Sequence, residues 1–205
     1  MKNFKDNIPN VLTTIRIVLI PLIIDCFYTD LKLVNILTAF LFAVASITDF
    51  FDGYLARKNN IQSNFGKCLD PIADKLLVSV TLIMLINFNP NNLIILISSL
   101  IIICREILVS GLREFLASIN VSLPVSRLGK WKTGIQMLAI GALLLAGQGS
   151  DLVYNEVMEL VEAEDIVRIS LEGYIQMIGE YALCISALLT TLSGFQYLKT
   201  GFKHF

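Results

Sequence analysis

Long apolar runs separated by short polar breaks dominate the chain, and six of them reach the length of a bilayer-spanning helix. A hydrocarbon layer roughly 30 Å thick needs about 20 helical residues. The stretches 10–28, 33–55, 70–88, 92–113, 130–148 and 174–198 meet that requirement. The short alternating segments of a membrane barrel are not seen, so the spans are expected to be helices. The expected fold is all-α and integral to the membrane, a six-transmembrane-helix bundle forming one domain over residues 1–205. The polar breaks predict short connections, with a turn at Asn89-Pro90-Asn91-Asn92 and a longer link over 114–129 containing Pro124 and Gly129. An acidic solvated loop is expected over 149–173, and a short interfacial helix over the first ten residues.

Composition strengthens this reading. Hydrophobic residues make up 55% of the 205 positions, too many for surface helices of a soluble domain. Arg16 lies inside the first apolar run and no small-residue cleavage site follows it, which argues against a signal peptide. Cys26, Cys68, Cys104 and Cys184 are scattered without the spacing of a metal knuckle or redox pair. The single histidine is His204, so proton chemistry inside the membrane falls to carboxylates, lysine, tyrosine or water.

The net charge of −1 says little, but the placement of the cations orients the bundle. With the N-terminus in the cytoplasm, eleven of the sixteen Lys and Arg residues fall on the cytoplasmic side. Lys32 and Arg168 fall outside, while Arg16, Lys75 and Arg105 lie within spans. Both termini and the segment 56–69 are therefore expected to be cytoplasmic.

Against this apolar background, four aspartates stand at the cytoplasmic boundary. Asp49, Asp52, Gly53 and Ala56 recur at i, i+3, i+4 and i+7, one stripe at the end of the second helix. Gly66, Asp70 and Asp74 recur at i, i+4 and i+8, one stripe entering the third. An aspartate at mid-membrane costs about 2.5–3.5 kcal/mol on insertion scales. Two like charges 4 Å apart repel by about 4 kcal/mol at an effective dielectric near 20. Converging carboxylates therefore require neutralisation. Protons in a transporter relay would serve, as would divalent cations held by oxygen ligands. The small residues on the same stripes favour the cations, because they leave room for a ligand to approach the helices. Arg57 adds a planar donor fork suited to phosphate. A transporter should also show repeats or broken helices across the bilayer, whereas this chemistry lies on one side.

These residues carry a resemblance. Asp49, Asp52, Gly53, Ala56, Arg57, Gly66, Asp70 and Asp74 match every fixed position of the D-x2-D-G-x2-A-R-x8-G-x3-D-x3-D signature of the CDP-alcohol phosphotransferase family. The stretches "NIPNVLTTIRIVLIP", "LDPIADKLLV", "REILVSGLREF" and "LGKWKT" are similar to those of bacterial members that use glycerol 3-phosphate as acceptor. The resemblance implies a metal-dependent phosphatidyltransferase of the bacterial cytoplasmic membrane, usually a homodimer, whose active site faces the cytoplasm. CDP-diacylglycerol and glycerol 3-phosphate would be its substrates in phospholipid biosynthesis, and nucleic acid is not among the expected partners. It further implies Mg2+ or Mn2+ on Asp49, Asp52, Asp70 and Asp74, with Asp74 also acting as general base. Asn10, Thr13, Asp49, Asp52, Gly53, Ala56, Arg57 and Gly66 would contact CDP-diacylglycerol.

Arg105, Arg113, Lys130 and Lys132 stand on consecutive elements with few acids beside them, which points to a site for the acceptor phosphate. The competing reading of the intramembrane charges is structural pairing, Arg105 with a carboxylate and Glu106 with an arginine. Other branches of the family, phosphatidylinositol phosphate synthases and CDP-dependent cardiolipin synthases, supply the alternative acceptors.

Overall fold

The computed structural model describes residues 4–29, 32–59, 64–119, 121, 127–147 and 163–201. Within its helices, the side chains of 4–12, 32–33, 49–59, 64–68, 127–128, 130 and 163–170 lie outside the description. Among the described residues there are six helices and no strands: α1 Phe4–Phe27, α2 Lys32–Asn59, α3 Asn64–Phe88, α4 Leu93–Ser118, α5 Arg127–Ala146 and α6 Ala163–Gly201. The chain divides into two compact units, Met1–Met84 and Leu85–Phe205.

Each predicted apolar stretch coincides with a helix, but the helices outrun the stretches. α2 continues to Asn59 and α3 begins at Asn64, so the aspartate segments are helical on both sides. α1 is already helical from Phe4 and replaces the expected separate interfacial helix. α6 begins at Ala163, inside the segment read as an acidic loop. The physical reason is the same throughout: an apolar window reports burial in lipid, whereas a helix needs only residues that tolerate it. The Glu, Arg, Leu and Ile of 164–172 are acceptable helix formers with no Gly or Pro among them.

In the N-terminal unit α1 packs along α2. Pro71 lies within α3 and brings no N–H to the ladder, so the carbonyl one turn earlier loses its helical donor. In the C-terminal unit α6 packs against both α4 and α5. The turn at 89–92 closes with the Asn92 N–H donating to the Asn89 carbonyl at 3.1 Å. Asn92 then caps α4, its side-chain oxygen accepting from the N–H groups of Ile94 and Ile95, each at 3.1 Å. Its amide donates to Glu180 at 2.7 Å, and Gln176 donates to the same carboxylate oxygen at 2.9 Å. This cluster ties the start of α4 to α6.

Glycines set the spacing between these helices. A Cβ on Gly179 would stand 2.8 Å from Leu143 Cγ and 3.2 Å from the Leu143 backbone nitrogen, so α5 and α6 meet where no side chain intervenes. The unit buries hydroxyl side chains among core residues such as Ile102, Ile140 and Leu183, and exposes large apolar ones. Ser99, Ser186, Thr190 and Ser193 are fully buried, while Ile107, Leu138, Leu188 and Phe195 are each at least 62% exposed. Apolar outer faces with hydroxylated residues at the helix contacts suit helices solvated by lipid. α4 and residues 171–201 of α6 are long and apolar enough to cross a bilayer. α2 and α5 hold shorter apolar lengths, 34–48 and 131–146.

Candidate active site

The N-terminal unit supplies carboxylates. Asp70 and Asp74 stand one turn apart on α3, both half-buried. Thr13, fully buried on α1, donates its hydroxyl to Asp70 Oδ1. Thr13 is an expected nucleotide contact, and in the fold its hydroxyl bonds an aspartate. A hydroxyl on one carboxylate oxygen orients the group and leaves the other oxygen available, which is how an outer partner prepares a metal ligand. Carboxylate oxygens are hard donors, and their chemistry fits Mg2+ or Mn2+. The helical register puts 49, 52, 53 and 56 on one stripe of α2 and 66, 70 and 74 on one stripe of α3. The side chains of Asn10, Asp49, Asp52, Arg57 and Lys130, and the surroundings of Gly53, Ala56 and Gly66, lie outside the described residues. Among the described residues no cation-binding group of three or more carboxylate, cysteine or histidine ligands is gathered.

The C-terminal unit supplies cations. Arg105 and Glu106 on α4 meet Lys132 on α5 and Ser193 on α6, so three helices converge. Lys132 Nζ donates to Glu106 Oε1, and Arg105 NH1 lies 3.5 Å from the same oxygen. Arg105 NH2 donates to Ser193 Oγ at 3.0 Å. Arg113, two turns further along α4, donates to the Tyr197 hydroxyl oxygen at 2.9 Å. The Tyr197 ring carries both guanidiniums near its face, with Arg113 Cζ 4.9 Å and Arg105 Cζ 5.9 Å from the centroid. The ring's quadrupole attracts each cation and eases their mutual repulsion. Gly194 belongs to the same arrangement, because a Cβ there would stand 3.1 Å from Arg105 Cγ.

Arg105, Arg113 and Lys132 are thus gathered around one carboxylate and one phenol. Three positive charges against Glu106 leave a local excess, and Glu114 beside Arg113 is exposed. Arg105 Nε is buried and has no acceptor among the described residues. A buried charged donor without an acceptor is costly, and an anion entering the cluster would satisfy it. Arg105 does pair with a carboxylate, so pairing and an anion site are both built here rather than being exclusive.

Sequence reasoning named the cations but missed Ser193, Gly194 and Tyr197. The signal was present in the spacing of Ser186, Thr190, Ser193, Gly194 and Tyr197, a polar and small stripe at i, i+4, i+7, i+8 and i+11 of a helix. It was hidden because the stretch 174–198 reads first as an apolar span.

Comparison with known proteins agrees with this chemistry. The chain is 46% identical over 200 residues to the CDP-diacylglycerol--glycerol-3-phosphate 3-phosphatidyltransferase of Rickettsia bellii (strain RML369-C), covering 98% of each chain. It is 46% identical over 199 residues to the protein of the same name from Rickettsia felis, covering 97% of each. For that of Haemophilus influenzae the identity is 39% over 199 residues, with 96% of this chain and 94% of the relative covered. The model of the CDP-alcohol phosphatidyltransferase family matches residues 6–171, which take in the aspartate segments and the three described cations alike, and the chain belongs to that family.

Proposed function

We propose that this protein transfers the phosphatidyl group of CDP-diacylglycerol to sn-glycerol 3-phosphate, giving phosphatidylglycerophosphate and CMP. Full-length similarity to relatives named for that reaction supports the reaction class. The observation that carries the acceptor is the cluster of Arg105, Arg113 and Lys132, whose excess charge and unmatched Arg105 Nε suit a phosphate monoester. Lys130 completes the set by sequence. The protein is a multi-pass, single-domain enzyme of the bacterial cytoplasmic membrane with six spans, both termini and the active site on the cytoplasmic side, and it works as a homodimer.

Asp49, Asp52, Asp70 and Asp74 hold the divalent cation, Mg2+ or Mn2+. The bound ion supplies charge neutralisation for the diphosphate and for the departing CMP. Asn10, Thr13, Asp49, Asp52, Gly53, Ala56, Arg57 and Gly66 bind and orient the nucleotide, with small residues where it must lie close to the helix. Thr13 fixes the orientation of Asp70. The acceptor hydroxyl attacks the phosphorus that bears diacylglycerol. A new phosphorus–oxygen bond forms, the bond to CMP breaks with its electron pair leaving on CMP, and Asp74 takes the hydroxyl proton. A carboxylate is a weak base for an alcohol, so positioning of the acceptor must supply much of the acceleration. Arg105, Arg113 and Lys132 bind the phosphate end of the acceptor.

The test is CMP release from CDP-diacylglycerol with a panel of acceptors: glycerol 3-phosphate, glycerol, inositol phosphate and phosphatidylglycerol. Strong turnover with glycerol 3-phosphate alone is expected. Equal use of glycerol, or preference for another member of the panel, would overturn the assignment.

A further inference from the structure

Glu106 is out of place in an anion site, because a carboxylate there repels the ligand that the cations attract. Its contacts explain its presence. One oxygen, Oε1, accepts from Lys132 on α5 and faces Arg105 NH1 at 3.5 Å. The Lys132 side chain is only 3% exposed, so its ammonium gives up much of its hydration to stand between the helices. A buried ammonium is held in place by the carboxylate that faces it, here Glu106 Oε1. Arg105 is held by three elements: Glu106 on its own helix, the Ser193 hydroxyl at 3.0 Å, and the surface left open by Gly194. Arg113 shares the Tyr197 ring with Arg105 but is held separately. Its own anchor is the Tyr197 hydroxyl at 2.9 Å.

We propose that Glu106 is the positioning residue of the acceptor site: it holds Lys132 and Arg105 in place, and acts on glycerol 3-phosphate only through those two side chains. The inference rests on the acceptor reading above and adds a residue that the reading does not need. Coulombic repulsion from Glu106 alone would make its removal tighten phosphate binding. Positioning predicts the opposite sign, since two misplaced cations lose more than one removed anion returns.

The test uses the full-length, metal-loaded enzyme in detergent micelles, with each substrate varied in turn. Glu106→Gln keeps the shape and removes the charge. It is expected to raise the KM for glycerol 3-phosphate about tenfold, the scale of one charge-assisted hydrogen bond, while leaving that for CDP-diacylglycerol within twofold. Glu106→Asp, one methylene shorter, should fall between. In a Lys132→Met background the same Glu106→Gln change should cost clearly less than tenfold, because only its hold on Arg105 remains. In an Arg113→Ala background it should cost its full tenfold. Should Glu106→Gln fail to fold, Glu106→Asp in the same two backgrounds gives the same pattern on a smaller scale. A lowered KM for glycerol 3-phosphate, an equal rise for both substrates, or additivity with Lys132→Met would overturn the proposal. If Arg113→Ala itself leaves the glycerol 3-phosphate KM unchanged, the acceptor reading fails first. If Arg113→Ala raises it and Glu106→Gln does not, only the role of Glu106 fails.

Discussion

Arg105→Ala separates a binding role from a structural one. The guanidinium bonds Ser193 at 3.0 Å and faces Glu106 at 3.5 Å, so truncation removes one good hydrogen bond and one longer ion contact inside the protein. Glu106 keeps Lys132 and is not left as a bare buried charge, which spares the fold the large cost of breaking a buried pair. The lost bond to the buried Ser193 hydroxyl costs roughly 1 kcal/mol, or about 2–4 °C of melting temperature for a chain of this size. Binding should suffer more. A charge-assisted contact to phosphate contributes about 1.5–3 kcal/mol, which corresponds to a rise in the KM for glycerol 3-phosphate of roughly 10- to 150-fold. The KM for CDP-diacylglycerol should stay almost unchanged. The assay is steady-state CMP release with each substrate varied, alongside a thermal melt in the same detergent. A melting temperature that collapses while both KM values move together would refute the reasoning, because Arg105 would then be a structural strut.

Activity should vanish on chelation with EDTA and return with Mg2+ or Mn2+, and full turnover after verified metal removal would exclude the aspartate-bound ion. Asp74→Asn should abolish CMP release while retaining liponucleotide binding measured by equilibrium dialysis; more than a few per cent residual activity would move the base elsewhere. Gly179→Ala should separate α5 from α6, since its Cβ would meet Leu143 at 2.8 Å. An overpacked contact of this kind costs about 1–3 kcal/mol, read as a melting temperature lower by roughly 2–12 °C. Gly141→Ala, whose Cβ meets nothing within 4 Å, is the control and should be neutral or slightly stabilising.

Hydrophobic pattern by itself determined that the chain is helical and apolar in runs of bilayer length, because lipid leaves the backbone no other partner than itself. The spacing of Asp49, Asp52, Asp70 and Asp74 determined the candidate chemistry, since helical periodicity turns sequence distance into a shared face. Where the helices end was not legible, because helix propensity persists beyond the apolar windows at Asn59, Asn64 and Ala163. Nor was the use of individual polar side chains. Thr13 and Asp70 are 57 positions apart, and Arg105 and Ser193 are 88 apart. Such pairings follow from which faces pack together. Gly179 and Gly194 could be read as small residues, but only the packed helices show that one admits Leu143 and the other admits Arg105. Glu106 makes the same point most sharply. In sequence it is one acid beside an arginine, and only the approach of α5 makes it the carboxylate that Lys132 and Arg105 share.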